Sequence, residues 1–477
     1  MLILMRKFHY KTFHAEQYLP NIVFGLCSLC LTVVLFACVD TSPSWAATTS
    51  PNGSLSAASE KQNTAPRSWY TDIDNQWGGH VKVTGSVVWP DDESYFQFVN
   101  TDPCYDGSAE VRLKSTLFFG TWGNFETHYE AVLSGGDTRR KERELAQLIP
   151  GLFDTGPMTG GLPDDTRRLM DLTKIVDEND SHIFYHRLDR FALTLTSGWG
   201  VVRIGRQAVT WGNGFLFNPI DLFNPFSPSD IEREYKIGDD MIFTQFSSKR
   251  VGDVQFLYVP RRDPESGDIQ FDQSSLAGKL HFAQGTTEFD VMAAMHYDDT
   301  VVGFGSMGYL GNTAWRLDGT WTFLEEGHGT DNYLSLVANI DYSWVWWKKN
   351  CYGYVEYFFN GLCHDRYAEA WTDPDIAVRI DRGELFTIGR NYMSGHIRVE
   401  LHPLVNVYLT AINNLSDPSG LLQPRISWDM TQNSRIILAG NIYYGGTDTE
   451  YGGYTIPGTG FLCKPSDSAY LSITYYF

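Results

Sequence analysis

The chain has 477 residues, of which 43% are hydrophobic and 14% aromatic, and its formal net charge at pH 7 is −20. A surface this acidic repels a phosphate backbone, which excludes nucleic acid as the expected partner. Mean hydropathy is −0.25, and no apolar run near 18 residues follows the N-terminal segment, so no helical membrane span is predicted beyond that segment.

The N-terminal segment has the layout of an export signal. Basic side chains precede an apolar run over 22–39, and a small-x-small site at Ser44–Ala46 follows. This order predicts a secretory signal peptide over 1–46, cut after Ala46. An uncleaved anchor is one alternative, because the run is long enough to span a bilayer, and a lipoprotein site at Leu35–Cys38 is another; all three predict export. The small, polar residues 47–77 are predicted to form a disordered periplasmic tail.

From residue 78 onward the chain consists of segments of about ten residues in which apolar and polar side chains alternate. In one of them Val111 and Leu113 alternate with Arg112 and Lys114. A period of two places one set on each face of a strand, as in a barrel with lipid outside and water inside. The sequence therefore predicts an all-β fold, a single closed antiparallel transmembrane β-barrel over 78–477. It has about 18 strands, with 16 as the alternative.

The links between these segments support a barrel. Long polar links alternate with short ones along the chain, which predicts long outer loops on one side and short periplasmic turns on the other. A large soluble β protein has no reason to show this asymmetry. The aromatic content, with 29 Phe, 26 Tyr and 14 Trp, suits the aromatic belts that lie at both interfaces of a membrane protein.

The longest link, 136–185, is predicted to be a helical insertion. Its segments 139–153 and 164–176 have helix-like spacing, with Leu145 and Leu148 on one side of the first. A cap or partial plug at the outer mouth and a plain exposed loop with two short helices are both consistent with this pattern.

A second long link, 213–239, follows the strand that begins at Val201. It contains two Asn-Pro steps, which enforce extended or turn geometry and remove backbone donors. The link cannot pair as a further strand, yet it is too aromatic to remain in water. It is predicted to fold into the lumen as a constriction loop, with an external loop packed on its neighbours as the alternative. The predicted constriction residues are Phe217, Asn218, Pro219, Asp221, Phe223, Asn224, Pro225 and Asp230.

The chain stops on "SAYLSITYYF", in which Leu471, Ile473 and Tyr475 fall on one face and Ser472 and Thr474 on the other. This ending resembles the closing strand of bacterial outer-membrane β-barrels, whose final residue is typically Phe and is read by the barrel-assembly machinery. The resemblance implies the outer membrane of a Gram-negative bacterium as the location.

The segment "RIGRQAVTWGNGFLFNPIDLFNP" resembles the Arg-x-Gly-Arg-Gln…Trp-Gly segment of large bacterial porin-like barrels, which include alginate-export-like proteins and families of unassigned function. The match covers 201–235 and the closing strand. It implies that Arg203 or Arg206 lines the channel. Two residues three apart cannot both face inward on a regular strand, and a bulge at Gly205 would reconcile them. The other arginines of an alginate exporter are not matched, so that substrate is not carried over.

Alternation also predicts which charged side chains face the lumen, because a charge on the lipid face costs about 2–4 kcal/mol near the midplane. Together with the two arginines of the motif, the predicted channel-lining residues are Lys82, Arg112, Lys114, Glu126, Glu130, Arg203, Arg206, Lys279, Asp290, Arg316, Asp318, Asp341, Glu356, Arg390, Arg398, Glu400, Arg425 and Asp429. Ladders of Arg and carboxylate that hold the wall rigid, and a transverse field that screens solutes, are both compatible with this set.

Four cysteines lie beyond the export signal, in a compartment where disulfides persist. Cys351 and Cys363 are separated by a whole strand of roughly 30 Å, too far for a disulfide. Cys104–Cys463 is the preferred candidate pair, because closure places the first and last outer loops side by side, and Cys363–Cys463 is the alternative. No Cys-x-x-Cys or Cys/His metal spacing occurs among the four, so no metal or cofactor is predicted.

These patterns predict an outer-membrane channel for passive diffusion of small hydrophilic solutes or ions. A polysaccharide exporter, or the barrel sheath of a porin–cytochrome electron conduit, is the alternative. No enzymatic activity is predicted, since neither Gly-x-Ser-x-Gly nor His-Glu-x-x-His occurs. The expected partners are outer-membrane lipid and lipopolysaccharide, the barrel-assembly machinery and small solutes, and a homo-oligomer is left open.

Overall fold

The computed structural model describes residues 73–148, 165–223, 225, 227–228, 235–248, 251–325, 327, 329–370, 373–456 and 460–477. The predicted signal peptide, the predicted tail up to residue 72, and the predicted constriction residues Asn224 and Asp230 lie outside the described residues. No described helix is long and apolar enough to cross a membrane.

The described chain is built mainly of strands, and the alternation seen in the sequence sets their positions. In the first half they are β1 Ile73–Trp89, β2 Cys104–Phe119, β3 Gly123–Gly136, β4 Thr173–Glu178, β5 His182–Ser197, β6 Gly200–Gln207, β7 Asp239–Ser248, β8 Gly252–Arg262, β9 Ile269–Gln284 and β10 Thr287–His296. In the second half they are β11 Asp299–Leu310, β12 Thr313–Phe323, β13 Asn332–Trp346, β14 Lys349–Asn360, β15 Asn391–His402, β16 Val405–Asn414, β17 Ser419–Thr431, β18 Ser434–Tyr444, β19 Tyr454–Thr455, β20 Leu462–Cys463 and β21 Asp467–Tyr476.

Eighteen of these strands form one closed antiparallel barrel, as predicted. Each pairs with the next along the chain, except that β3 pairs with β5, β18 pairs with β21, and β21 pairs with β1 to close the ring. The remaining strands lie outside the ring: β4 adds to β5, and β19 and β20 form a hairpin of their own. The 16-strand alternative is therefore wrong.

The two faces of the wall differ as the alternation predicts. Along β13 and β14 the apolar Ile340 and Val355 are 53% and 49% exposed, whereas their neighbours Asn339 and Glu356 are 4% and 0% exposed. An apolar outer face and a polar inner face are the arrangement that a barrel in lipid requires.

Two regions of the inner wall depart from this rule and are apolar. One includes Met241, Leu257 and Met292 on β7, β8 and β10, and the other includes Val337 and Ile412 on β13 and β16. Both are buried, so a segment of the chain other than the wall must cover them.

Link lengths follow the predicted asymmetry except at two outer links, since β16 and β17 are joined by only four residues, 415–418, and β10 and β11 by fewer still. On the outer side, β10 and β11 are joined by only Tyr297 and Asp298, which have φ of 50° and 73°. On the other side, β13 and β14 are joined by Trp347 and Lys348, with φ of 45° and 60°. Positive φ at both central residues is the geometry that matches the twist of a two-residue hairpin, so the outer link between β10 and β11 is a tight turn and not a long loop.

The outer links carry the described helices. They are a 3-10 helix Tyr95–Phe98, α1 Asp137–Leu148, α2 Tyr367–Ala370 and α3 Pro374–Asp381. The first half of the predicted 136–185 insertion is thus a helix, α1. The second predicted helix is wrong: residues 165–172 form turns and irregular structure, and 173–178 form β4, in which the β-branched Ile175 pairs with Tyr185.

Two further predictions differ from the structure. The barrel begins at Ile73, five residues before the predicted boundary, because β1 pairs with β2 from Ile73↔Phe119 onward. All four described cysteines are free thiols, so the predicted Cys104–Cys463 disulfide is absent. Cys104 begins a ring strand opposite Val88, whereas Cys463 lies in the separate β19–β20 hairpin opposite Tyr454.

Candidate functional site

The link between β6 and β7 enters the lumen and contacts distant parts of the wall. We call residues 208–238 the infolded loop. Its two Asn-Pro steps prevent it from continuing the β6 strand, and in the structure its backbone forms hydrogen bonds with side chains of β12 and β14. These strands are far along the ring from β6 and β7, so the loop extends across the interior.

Glu356 of β14 holds the middle of the infolded loop. Its carboxylate accepts hydrogen bonds from the backbone N–H groups of Phe215, Leu216 and Phe217, at 2.7, 2.9 and 3.0 Å. It also accepts one from Asn339 Nδ2 at 3.1 Å. Three consecutive amides aimed at one charged acceptor form a short anion-binding concavity. Here the anion is a wall side chain, which is fully buried.

Asp318 of β12 holds the infolded loop two residues earlier in the chain, at Asn213. Its carboxylate accepts hydrogen bonds from the backbone N–H of Asn213 and from Asn213 Nδ2, the latter at 2.9 Å. Beside this contact Trp211 donates from Nε1 to Gln255 Oε1 at 2.7 Å. Wall carboxylates and amides therefore satisfy the backbone of a loop that has no strand partner.

Apolar side chains of the infolded loop cover the two apolar regions of the inner wall. Trp211, Ile220 and Phe223 belong to the buried cluster on β7–β11. Phe217 packs in the cluster on β13–β17, where its ring is stacked on that of Phe358 at 4.3 Å between centroids. The loop is consequently anchored on both sides of the lumen by burial as well as by hydrogen bonds.

The end of the infolded loop returns along a basic part of the wall. The Tyr235 ring lies 4.6 Å from the guanidinium carbon of Arg112 and 4.2 Å from Lys114 Nζ, and Lys114 donates to its hydroxyl at 2.9 Å. The Lys236 ammonium is paired with Asp221 of the same loop. Burial raises the pKa of Asp221 to about 6, against the opposing effect of Lys236.

The predicted channel-lining residues all belong to ring strands, except Arg390, which lies just before β15. Several of them are covered and do not meet water in an open lumen. Arg112, Arg206, Asp318 and Glu356 are at most 2% exposed. Alternation in the sequence predicts the face of the strand on which a side chain lies. It does not predict which inward side chains are covered by other segments, because those segments are far away in the chain.

Arg203 lies opposite the buried Thr194, whereas Arg206, itself 2% exposed, lies opposite the exposed Phe191. Gly205, between them, has a φ of +121°, a conformation that L side chains rarely adopt. Arg203 Nε donates to Thr194 Oγ1 at 3.1 Å, while Arg206 forms ion pairs with Asp165 and Asp240. The predicted bulge at Gly205 is absent, because β6 pairs with β5 and β7 through Gly205 without a register shift; the irregularity there is confined to the positive φ.

Segment 165–172 of the long insertion is held against the wall by these charges. Asp165 pairs with Arg206 at 3.0 Å and with Arg168 at 2.7 Å. Burial favours the neutral carboxyl, but Arg168 and Arg206 outweigh it and lower the pKa of Asp165 to about 2. The insertion is thus attached to the rim above β6 by buried ion pairs.

Tyrosine and arginine alternate at one level of the inner wall across four adjacent strands. Tyr352 of β14 lies opposite Arg398 of β15. Tyr408 of β16 lies opposite Arg398 on one side and opposite Arg425 of β17 on the other. The guanidinium carbon of Arg425 is 4.1 Å from the Tyr408 ring centroid, and that of Arg398 is 5.6 Å from the Tyr352 ring. Within the described part of the chain, neither arginine has an ion-pair partner. We call these four residues the Tyr–Arg row.

Two other arginines near this part of the wall are paired with carboxylates. Arg316 lies 3.4 Å from Asp341, and Arg435 lies 2.6 Å from Asp429. Glu400 accepts a hydrogen bond from Asn350. The two arginines of the Tyr–Arg row therefore differ from Arg316 and Arg435 in having no carboxylate partner among the described residues.

The remaining predicted constriction residues have defined places. Asn218 donates from Nδ2 to Trp211 O at 2.8 Å. Phe223 packs edge-to-face on Trp211 and on His296. Pro219 and Pro225 line a cavity beside the loop.

No sequence pattern indicated the loop-side partners Tyr235 and Lys236, or the ion pairs of Asp189 with Arg112 and Arg190. The apolar inner wall was also not predicted, although the sequence contains a signal for it. Runs such as 256–260 and 291–295 lack a polar residue at every second position, which is typical of a strand covered on both faces. Among the described residues, no group of three or more His, Cys, Asp or Glu is arranged to hold a metal ion.

The barrel is similar in fold to solved outer-membrane porin-like β-barrels. OccAB3 of Acinetobacter baumannii is 10% identical, with 85% of this chain and 99% of that one covered and a TM-score of 0.48. A BenF-like porin from Pseudomonas fluorescens Pf-5 is also 10% identical, with 85% and 98% covered and a TM-score of 0.48. OccK7 of Pseudomonas aeruginosa is 8% identical, with 85% and 99% covered and a TM-score of 0.46.

No protein-family model matches the chain, and no curated protein matches it. The similarities to solved structures concern the fold alone.

Proposed function

We propose that this protein is an outer-membrane channel through which small hydrophilic solutes diffuse passively. The observation that carries the proposal is the infolded loop, held by Glu356 and Asp318 across the interior of a closed wall with a polar inner face. A barrel of this strand number leaves an aqueous passage unless something fills it, and a loop fixed across the passage limits the size of what passes.

The apolar outer face supports placement in a lipid bilayer. Side chains such as Leu438, Leu471 and Ile473 are 50%, 47% and 50% exposed on adjacent strands. Contiguous apolar surface of this kind is unfavourable in water and favourable in hydrocarbon. The outer membrane of a Gram-negative bacterium remains our proposal for the location, with export by the predicted signal peptide.

The alternative functions are less well supported. Threading a polysaccharide, or sheathing a periplasmic electron carrier, needs a passage wide enough for a polymer or a protein. The infolded loop is fixed on both sides of the interior by apolar packing and by hydrogen bonds, and such a loop obstructs objects of that size.

The proposal is tested by conductance in planar bilayers. The purified protein is expected to give discrete channels. The E356Q/D318N variant, which weakens both contacts of the loop, is expected to raise the single-channel conductance or to add rapid current fluctuations. Deletion of 218–229 is expected to raise it further. A protein that folds and inserts but carries no current, or a deletion variant with unchanged conductance, would contradict the proposal.

A further inference from the structure

A cavity of about 290 Å³ lies beside the infolded loop on the outer side of the barrel. The loop forms one wall, the outer ends of β10–β14 form another, and the link between β14 and β15 forms the third. We call this space the outer chamber. A cavity of this size suits one small solute and not a polymer.

The ionisable side chains that line the outer chamber are paired with one another. Asp221 pairs with Lys236, Asp299 pairs with Arg379, and Glu384 Oε1 lies 3.2 Å from His296 Nε2. These six are all the Asp, Glu, Lys, Arg and His residues among the described lining residues. A charged solute would lose its hydration here without gaining an unpaired countercharge, so the lining disfavours ions.

The rest of the lining offers neutral hydrogen-bonding groups. The hydroxyl-bearing side chains among the described lining residues are Thr210, Thr320, Thr322, Tyr333, Ser335 and Thr387. The side chains of Asn218 and Asn360 add amide groups to this lining. Neutral hydroxyl and amide groups can exchange hydrogen bonds with the hydroxyl groups of a solute without the burial of an unpaired charge.

Aromatic rings form part of the apolar surface of the outer chamber, together with aliphatic and proline side chains. Phe217 and Phe358 are the stacked pair at the loop side, and Phe386, which is 42% exposed, lies in the link on the opposite side. Rings on two sides and hydroxyl groups between them complement a molecule that has an apolar face and several hydroxyl donors. Pockets of this kind combine apolar surface with a few well-placed polar groups.

We propose that the outer chamber is a binding site for a neutral polyhydroxylated solute of the size of one sugar ring. The hydroxyl groups of the ligand would meet the hydroxyl and amide side chains of the lining, and its ring face would lie against an aromatic side chain. The chamber is on the side of the long loops, so a solute from outside would meet it before the infolded loop. A role of the outer chamber in uptake rests on the proposed channel function, whereas binding of the solute to the chamber does not.

Binding is measured with the purified protein in detergent, by calorimetry and by saturation-transfer NMR. The probes are D-glucose and myo-inositol, with acetate and ethylammonium as charged comparisons. Both polyols are expected to bind saturably and neither ion to bind detectably. Absence of polyol binding, or preferential binding of either ion to the unaltered protein, would overturn the proposal.

Three variants locate the site. T320F places a large ring in the chamber and is expected to abolish polyol binding. T320V removes one hydroxyl at nearly constant volume and is expected to raise the Kd about fivefold. D221N leaves Lys236 without its counterion, and is expected to weaken glucose binding about fivefold and to make acetate a ligand. Unchanged glucose affinity in all three would mean that the sugar binds elsewhere, which also overturns the proposal.

T84V is the matched control, because Thr84 is buried on the inner face of β1, on the other side of the ring. It is expected to leave glucose affinity unchanged. A conductance measurement on the same preparations separates the two proposals. Binding without current would contradict the channel proposal and support the binding site. Current without binding would support the channel and contradict the binding site.

Discussion

The carboxylate of Glu356 illustrates how one residue positions a whole loop. It is buried, yet its contacts with the backbone of 215–217 and with Asn339 provide it with hydrogen-bond donors. Hydrogen bonds to a charged group contribute about 1.5–3 kcal/mol each, more than a neutral pair in the same place.

E356Q is therefore expected to loosen the infolded loop without unfolding the wall. The amide retains one acceptor oxygen, but its NH₂ group faces backbone donors. Hydrogen exchange of amides 213–217 should accelerate by about tenfold or more, the equivalent of one lost charge-assisted bond. Hydrogen-exchange mass spectrometry measures this rate.

E400Q is the matched control, since Glu400 lies on the same inner face and bonds to Asn350 but has no contact with the loop among the described residues. Its loop exchange should equal that of the unaltered protein. Equal protection of the loop in E356Q and E400Q would show that apolar packing alone holds it.

The Tyr–Arg row leads to a prediction about ion selectivity. Because Arg398 and Arg425 lack ion-pair partners in the described chain, they make the local potential positive, which raises the local concentration of anions. The R398Q/R425Q variant should lower the ratio of anion to cation permeability about twofold or more. Reversal potentials in a salt gradient give this ratio.

R435Q tests whether the effect needs an unpaired arginine. Arg435 is bonded to Asp429 at 2.6 Å, so its removal frees a carboxylate and should also shift selectivity toward cations. The R435Q/D429N variant should reverse that shift. R398Q/R425Q has no corresponding compensating change, because no carboxylate in the described wall is paired with either arginine. Selectivity that is indifferent to R398Q/R425Q would contradict the proposed role of the row.

At the scale of elements, the strands were predictable and the loops were not. A strand that separates lipid from water has a local signature, because every second residue must be apolar. The eighteen ring strands follow from this rule. The extension of β1 to Ile73 does not follow from this rule, because "IDNQWGG" lacks the alternation. Pairing with β2 specifies this part of the strand.

The candidate site was predictable only in part for the same reason. The Asn-Pro steps indicate that the link after β6 cannot be a strand, and the infolded position agrees with that reading of the sequence. Its anchors, Glu356 and Asp318, are more than a hundred residues away along the chain. No local pattern distinguishes a carboxylate that holds a loop from one that meets water.

Helix α1 supports a prediction about pH. It packs on the 3-10 helix Tyr95–Phe98 through Leu145, and Glu142 is partly buried beside it. Burial and the nearby Asp106 carboxylate raise the pKa of Glu142 to about 7, against Arg139 and Arg143. A carboxyl whose pKa is raised on docking stabilises the docked state below its ordinary pKa, and this contribution is lost as pH rises through 7.

The amides of α1 should consequently be better protected at pH 5 than at pH 8, after correction for the intrinsic exchange rate. E142Q should abolish the difference, because its side chain has no proton to lose. E144Q is the control, since Glu144 is exposed on the same helix, and it should keep the pH dependence. A difference that persists in E142Q would assign the effect to another group.

At the scale of the whole molecule, the ring depends on one seam between the two ends of the described chain. β21 pairs with β1 over ten residues, from His80↔Tyr476 to Trp89↔Asp467. Beyond that ladder, Gly79 N donates to Phe477 O at 2.9 Å, and Phe477 N donates to Gly79 O at 3.1 Å. A sheet that closes in this way has no free edge.

The seam includes a position where only glycine fits. A Cβ at Gly79 would lie 2.1 Å from the backbone oxygen of Arg112 and 2.8 Å from Phe477 Cζ. G79V is expected to destabilise the folded barrel by about 1–3 kcal/mol, the usual cost of overpacking. The temperature at which the compact band on an SDS gel gives way to the unfolded one should fall accordingly.

Gly85 makes the comparison specific, because it lies on the same strand and face and a Cβ there would meet nothing within 4 Å. G85V exposes the same added side chain to lipid without crowding the seam, so it should leave the transition temperature unchanged or raise it slightly. If both variants lowered the temperature equally, valine in β1 would be unfavourable for a reason other than closure. Only a selective loss in G79V ties the stability of the barrel to the contact between its last residue and its first strand.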